Sequence, residues 1–298
     1  MEETPEPKSE PVPVEELEEV KQPSSLLVAQ FFLFPLAIIA ICVGIFVLFG
    51  YLTYEQKNPR DYLANIRTGS EQRRWQAAYE LSTLLKADGK ELRNENFVRD
   101  LLVTYRGAKD QDPRIRRYLA LTLGQIGDRV ALPSFAVPSL IEGLGDNDTE
   151  TQIYTIFALG SIKDRSAVPG VLEKLRSEDA GIRKMAAYVL GVLGDPSAIR
   201  GLQIALNDVK EDVRWNSAIA LAQLHDPSGS TILMNLIDRE YVAQYPLSEV
   251  QKSEIVMNAV KAIGVLQFQA GRSRIVALSR TDPDLAVRQA AIEALRKF

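Results

Sequence analysis

From residue 179 the sequence reads Asp179-Ala-Gly-Ile-Arg-Lys-Met-Ala-Ala-Tyr-Val-Leu-Gly-Val-Leu-Gly-Asp195, and similar stretches recur along the chain. Each copy can be aligned on the position that Arg183 occupies in this stretch. The seven aligned anchor positions are Arg74, Arg116, Gln152, Arg183, Arg214, Val256 and Arg288. The shortest separation between anchors is 31 residues, and longer separations indicate insertions. A period of this length is typical of stacked supersecondary units.

Each copy predicts an amphipathic helix. Four, seven and ten residues after the anchor the side chains are almost all apolar or small, and these offsets share one helical face. At offset seven stand Leu81, Leu123, Leu159, Leu190, Leu221, Ile263 and Leu295. At offset eight, glycine lets neighbouring helices approach closely in four copies, at Gly124, Gly160, Gly191 and Gly264.

A second helix is predicted in each unit. The segment 137–144 aligns with 168–175, and Pro138 and Pro169 fall in the first helical turn, where a missing N–H costs nothing. One such helix pair is too small to fold alone, so neighbouring pairs must share a continuous core. We therefore predict an all-α chain, with an α-solenoid of about seven helical hairpins over residues 70–298.

The pattern Asp-Pro-x-x-Arg, followed by Ala-Leu-Gly-x-Ile-Gly-Asp, resembles the HEAT-like repeat named after the phycobilisome bilin lyases. The resemblance covers residues 70–298 and is specific for the fold. It implies no single function, because similar proteins include lyases, hydroxylases and scaffolds. The hydroxylases bind iron through repeated His-Glu pairs, and the single histidine here, His225, excludes that chemistry. His225 aligns with glycine in other copies, which predicts a turn residue.

Residues 26–54 are predicted to form a transmembrane helix. No residue between Phe31 and Phe49 is charged. About 24 helical residues span roughly 36 Å, which exceeds a hydrocarbon core of about 30 Å. Basic residues are more frequent after the segment than before it, so the positive-inside rule places the repeats in the cytoplasm. Residues 55–69 are predicted to be a juxtamembrane linker.

Residues 1–25 form an acidic tail rich in proline and glutamate. Eight glutamates against two lysines give this tail a net charge of −6, whereas the remaining residues carry a net charge of +2. Such a composition cannot bury enough apolar surface to become ordered, so the tail is predicted to be disordered. The nearly neutral body offers no electrostatic basis for binding nucleic acid.

The sequence contains no recognisable catalytic, cofactor or metal site. The one cysteine, Cys42, lies in the apolar segment, which excludes an internal disulfide and a zinc site of Cys and His ligands. No glycine-rich phosphate loop and no Gly-x-Ser-x-Gly motif occurs. We interpret the anchor arginines and nearby aspartates as ion pairs between repeats and helix caps. Those aspartates are Asp112, Asp148, Asp179, Asp212 and Asp282.

One apolar pattern is not explained by the repeat core. Offsets one and five lie on the side of the helix away from the core alanines, yet large apolar residues recur there. Stacked helices would align them in a stripe, and such aromatic anchors are typical of protein-binding surfaces. The candidate residues are Trp75, Tyr79, Ile153, Phe157, Tyr188, Trp215 and Ile219. A neighbouring layer, or the insertion near residues 238–246, could equally cover them.

These features together favour a membrane-anchored, non-enzymatic scaffold that binds a protein partner as an accessory subunit of a membrane complex. Two alternatives remain. A bilin lyase or isomerase is suggested only by the repeat family, and it would need a polar groove of tetrapyrrole size. An anchored sensor would instead act through its acidic tail.

Overall fold

The computed structural model of the protein describes residues 29–52, 58–84, 94–133 and 135–298, in which helices occur and no β-strand is found. This confirms the all-α prediction. The chain divides into two units, residues 1–56 and residues 57–298. The acidic tail, predicted over residues 1–25, lies outside the described residues.

The N-terminal unit contains helix α1, Phe34–Leu52, which follows a π-helical turn over Ala29–Leu33. Pro35 is the second residue of α1 and directly follows the π-helical turn. From Gln30 to Phe49 the mean hydropathy is 3.0, and none of these residues is buried within the protein. This segment is therefore long and apolar enough to span a membrane. The outermost residues of the predicted span, 26–28 and 53–54, lie outside the described residues.

The C-terminal unit is a stack of helical hairpins, each made of a shorter and a longer helix. Within the described residues there are seven such pairs, as predicted. They are α2 (Pro59–Thr68) with α3 (Glu71–Leu84), α4 (Glu95–Gly107) with α5 (Pro113–Gly127), α6 (Ala136–Gly143) with α7 (Thr149–Ile162), α8 (Val168–Lys174) with α9 (Ala180–Leu193), α10 (Ile199–Ala205) with α11 (Glu211–Gln223), α12 (Ser230–Leu236) with α14 (Glu249–Leu266), and α15 (Arg272–Thr281) with α16 (Leu285–Leu295). Helix α13 (Arg239–Ala243) is an insertion within the sixth pair.

The longer helices pack side by side in one layer, and each shorter helix packs on its own longer partner in a second layer. The core between the layers is formed by the offsets identified in the sequence. At offset seven the first six side chains are at most 1% exposed, namely Leu81, Leu123, Leu159, Leu190, Leu221 and Ile263. In the last copy Ile292, at offset four, is 41% exposed.

The structure corrects the predicted linker over residues 55–69. Most of this segment is helix α2, which Asn58 caps by accepting a hydrogen bond from the Arg60 N–H at 2.9 Å. Tyr62, Leu63 and Ile66 are buried in the same core as α3. The repeat body therefore begins at residue 59 rather than residue 70, because α2 supplies the shorter helix of the first hairpin.

A residue with positive φ follows several of the longer helices. Lys163, Gly194, His225 and Gln267 have φ angles of 60°, 65°, 58° and 50°. This left-handed conformation turns the chain from the longer helix into the next hairpin, and glycine adopts it without strain. His225 is exposed in such a turn, as its alignment with glycine predicted.

The glycines at offset eight bring neighbouring longer helices into backbone contact. A Cβ atom at Gly124 would lie 2.8 Å from the Cα of Ala158 in α7. One at Gly191 would lie 2.8 Å from the Cα of Ala220 in α11. A side chain larger than hydrogen at these positions would force adjacent hairpins apart.

We expect the Gly124→Ala substitution to lower the free energy of unfolding by about 1–3 kcal/mol, because the clash is with backbone that must shift. Gly107→Ala is the matched control, since nothing lies within 4 Å of a Cβ at that position in α4. It should leave stability unchanged or raise it slightly. Urea denaturation followed by circular dichroism compares the two, and equal effects would contradict the close approach described above.

Candidate functional site

The anchor residues of the repeat stabilise the turn inside each hairpin. In four copies the anchor side chain donates a hydrogen bond to the carbonyl oxygen six residues earlier, in the turn after the shorter helix. The distances are 2.7 Å from Gln152 to Asp146, 2.9 Å from Arg183 to Ser177, 2.7 Å from Arg214 to Asp208 and 2.5 Å from Arg288 to Asp282. Carbonyl groups at the end of a helix have no N–H donor within that helix, and the anchor side chain supplies one.

Some anchors also join consecutive hairpins. Arg183 forms a bidentate ion pair with Asp208 of the next hairpin, at 2.7 Å from Nε and 2.9 Å from Nη2. Arg116, which is 3% exposed, pairs with Asp146. The interpretation of the anchor arginines as structural ion pairs is therefore confirmed at these positions, and their charges are not available to a ligand.

The nearby aspartates divide into two groups. Three accept a hydrogen bond from a backbone N–H at a helix N-terminus, as predicted: Asp112 for α5, Asp148 for α7 and Asp179 for α9. The other two are not caps. Asp212 pairs with Lys184 at 3.3 Å. Asp282 pairs with Arg239 at 2.6 Å, while α16 is capped by Asp284.

Asp148 combines both structural roles. Its carboxylate accepts hydrogen bonds from Arg117 of α5 at 2.7 and 2.8 Å, and from the N–H and hydroxyl of Thr151, each at 2.7 Å. These bonds, above all those from Arg117, lower the pKa of the Asp148 carboxyl to about 2. One side chain therefore caps α7 and links it to the preceding hairpin.

The folded-state pKa of Asp148 lies below its unfolded value of about 3.9. The ionised group therefore stabilises the protein fully above about pH 4, and this contribution of about 2 kcal/mol is lost as the pH falls towards about 2. We expect Asp148→Asn to lower the free energy of unfolding at neutral pH. The free energy of unfolding of this variant should also fall less steeply than that of the wild type as the pH is lowered. Urea denaturation at a series of pH values measures both effects.

Asp128→Asn is the control for this experiment, because Asp128 pairs with Lys163 on the surface at 3.4 Å, with both side chains more than half exposed. Such a pair is worth less than about 1 kcal/mol. An Asp148→Asn variant with the acid dependence of the wild type would contradict the assigned pKa.

The predicted stripe lies on the layer of longer helices, but its members differ in exposure. Tyr79 and Tyr188 are 47% and 45% exposed, and Trp215 is only 7% exposed. The other four are half-buried: Trp75, Ile153, Phe157 and Ile219. The stripe is therefore partly accessible, but it is covered at Trp215.

Phe157 and Tyr188 lie next to each other in the stripe. These two side chains line the same shallow groove of about 220 Å³ between α7 and α9, beside Gly160. A Cβ at Gly160 would lie 2.8 Å from a methyl group of Val189, so this glycine sets the close packing beneath the groove. The structure thus brings together two residues that lie 31 positions apart in sequence.

At the N-terminal end of the stripe, Tyr79 packs edge-on against Tyr118 with 5.2 Å between ring centroids. Tyr118 was missed because it stands at offset two, outside the two offsets considered. The presence of an aromatic residue at offset two, in the copy next to that of Tyr79, could have indicated this contact. Arg114 lies 4.2 Å from the ring centroid of Trp75 and partly covers it. The indole nitrogen of Trp75 is buried and has no hydrogen-bond partner among the described residues.

The insertion of the sixth hairpin covers Trp215, which corrects its place in the candidate stripe. Tyr245 packs edge-on against Trp215 with 4.8 Å between ring centroids, and its hydroxyl donates to that of Tyr241 at 3.0 Å. Burial, aided by the neighbouring Tyr241, raises the pKa of Tyr245 to about 12. The ion pair of Arg239 with buried Asp282 fastens the insertion to the last hairpin.

Known proteins share this architecture. A sequence profile of HEAT repeats matches residues 137–222 and 170–244. The chain is an all-helical protein with HEAT-like repeats. It resembles the complex of CpcE and CpcF of phycocyanin lyase from Nostoc sp. PCC7120, with 19% identity, a TM-score of 0.56, and coverage of 82% of this chain and 88% of that chain. This likeness shows the fold alone.

The Escherichia coli protein YibA is also similar, with 15% identity, a TM-score of 0.48, and coverage of 82% of this chain and 94% of that chain. No curated protein matches the sequence significantly. Within the described part of the HEAT-like chain, no group of three or more His, Cys, Asp or Glu side chains is placed to hold a metal ion.

Proposed function

We propose that this protein is a single-pass membrane protein whose cytoplasmic HEAT-like repeats hold a protein partner, as an accessory subunit of a membrane complex. One observation carries the proposal. The same chain combines an apolar helix with no buried residue and a helical stack that leaves aromatic side chains accessible along its longer helices.

The apolar helix supports membrane insertion. Its large side chains from Phe31 to Phe49 are between 55% and 79% exposed, whereas the core helix of a water-soluble domain hides such side chains. A lipid core removes them from water without requiring another protein surface. The basic residues that follow the helix, including Arg60, Arg67 and Arg73, support a cytoplasmic repeat body.

Membrane insertion can be tested with two charges near the centre of the helix. Ile38→Lys and Ile41→Lys together should release the protein from carbonate-washed membranes, since each lysine costs about 2.5–3.5 kcal/mol there. Val250→Lys and Leu285→Lys, at exposed apolar positions of the repeat body, form the control and should remain in the membrane pellet. A wild-type protein that is extracted by carbonate would refute the span.

A thiol-labelling experiment gives the orientation of the protein in the membrane. Cys42 is the single cysteine, so a Cys42→Ala background allows one new thiol to be placed in the repeat body. A membrane-impermeant maleimide should label Val209→Cys, at a position 80% exposed, only after the cells are permeabilised. Labelling in intact cells would place the repeats outside the cytoplasm.

The stripe supports protein binding. Extended surfaces of stacked repeats commonly serve as binding surfaces, and partly exposed tyrosines supply large contact area at low entropic cost. Arg117 and Lys184 also stand at offset one, where ion pairs with Asp148 and Asp212 of the next hairpins compensate their charges. Protein interfaces commonly combine apolar and charged residues in this way.

We expect Tyr188→Ala to reduce recovery of the partner at least tenfold in a mild-detergent pull-down quantified by mass spectrometry, a loss of about 1.4 kcal/mol or more. Val103→Ala, in the layer of shorter helices at a position 59% exposed, is the control and should recover the partner as the wild type does. An inventory unchanged by Tyr188→Ala would exclude this surface from partner binding. Trp215 is unsuitable for this experiment, because its removal would disturb the core.

The two alternative functions give other outcomes in the same purification. A coloured ligand that co-purifies with the protein would favour a lyase or isomerase over a scaffold. Loss of the partner on deletion of residues 1–20, with the stripe intact, would favour a sensor that acts through its acidic tail.

A further inference from the structure

A larger groove lies in the layer of shorter helices, between α8, α10 and the turns that follow them. Its volume is about 720 Å³, which falls within the range of about 300–1,000 Å³ typical of ligand sites. Leu172, Leu175, Ile204 and Val209 contribute its apolar lining. Ile204 and Val209 are 62% and 80% exposed, and an apolar cluster of this kind indicates an interaction surface.

The floor of the groove is held by close packing of α8 against α10. A Cβ atom at Gly201 would lie 2.8 Å from Cδ2 of Leu172 and 3.2 Å from Cδ1 of Leu175. The two leucines therefore rest directly against the backbone of α10. Because the helices are already in contact, binding would require little rearrangement of the apolar floor.

The charges around the groove are unbalanced. Arg176 and Arg200 line it, are exposed, and form no ion pair with any described residue. Arg183 also lines it, but its charge is compensated by Asp208. The one carboxylate of the lining without an ion pair among the described residues is Glu173. The lining therefore carries two guanidinium groups and one carboxylate that form no ion pair among the described residues.

The two unpaired arginines stand at opposite ends of the groove. Arg176 follows the end of α8, and with a repeat of 31 residues it corresponds to Asn207 after α10, seven positions beyond Arg200. Seven positions correspond to about 10 Å along the helix axis. Because packed helix axes lie about 8–10 Å apart, the two positions are separated by about 13–14 Å. An extended peptide covers this distance in about four residues, and residues four apart point to the same side. Carboxylates at that spacing can reach both arginines while apolar side chains between them contact Leu172 and Ile204.

We propose that this groove binds an acidic segment of a partner protein, with apolar residues at its centre and a carboxylate at each end. The guanidinium group suits such a ligand because it binds carboxylates in a bidentate manner. The site is distinct from the stripe around Tyr188, which lies in the other layer. It therefore adds a second, charge-selective contact to the proposed scaffold.

The test is a selection of random short peptides displayed on phage against the full-length protein in phosphatidylcholine nanodiscs. The wild type should enrich peptides in which two Asp or Glu residues, about four positions apart, flank apolar residues. The selected peptide should bind at least tenfold more weakly to a double variant, Arg176→Glu with Arg200→Glu. Selection on that variant should enrich Lys or Arg instead.

The control is Arg165→Glu, a single charge reversal of the same type at an exposed residue before α8 that does not line the groove. It should bind the peptide as the wild type does. If the double variant does not fold by circular dichroism, the neutral substitutions Arg176→Gln and Arg200→Gln replace it. The Tyr188→Ala variant should retain the peptide, so a failure of the stripe is distinguishable from a failure of this groove.

Two results would overturn the proposal. In the first, acidic peptides are not enriched, or they bind the charge-reversed variant as well as the wild type. In the second, vesicles of phosphatidylglycerol bind through these arginines while no peptide is selected, which would make the groove a lipid contact and not a protein-binding site.

Discussion

The packing of each longer helix against the next sets the geometry of the whole repeat body. Glycine at offset eight meets the residue at offset six of the following helix, which is alanine for Gly124 with Ala158 and for Gly191 with Ala220. This contact leaves no room for larger side chains, and it places the leucines at offset seven in a continuous core. A single hairpin cannot bury that face by itself, so each hairpin depends on its neighbours for stability.

The polar groups follow the same repetition. An arginine such as Arg183 reaches both the carbonyl oxygens of its own turn and Asp208 of the next hairpin, so one side chain closes a turn and joins two repeats. Charges that recur with the repeat are thus used for structure. Arg176 and Arg200 do not recur in this way and lack ion-pair partners among the described residues. Unlike the charges of the anchor arginines, their charges are therefore available to a ligand.

The two candidate surfaces lie on different layers, and each depends on the stacking. The stripe depends on the side-by-side longer helices, which place Phe157 beside Tyr188. The groove depends on the contact of α8 with α10 through Gly201. The insertion that carries Tyr245 limits the stripe at Trp215 and is held by the buried Asp282. A scaffold with both surfaces could hold an apolar contact and an acidic segment separately.

The number of hairpins, the buried faces and the apolar span could be read from the sequence, because helical periodicity and hydropathy are local properties of the chain. The linker over residues 55–69 could not be distinguished from helix α2, since this helix precedes the first anchor and is ordered by packing on α3. Tyr188 and Trp215 hold similar places in the repeat, yet one is exposed and the other is covered by Tyr245, thirty positions away. Exposure and pairing of this kind depend on which distant segments meet in three dimensions, and periodicity carries no information about that.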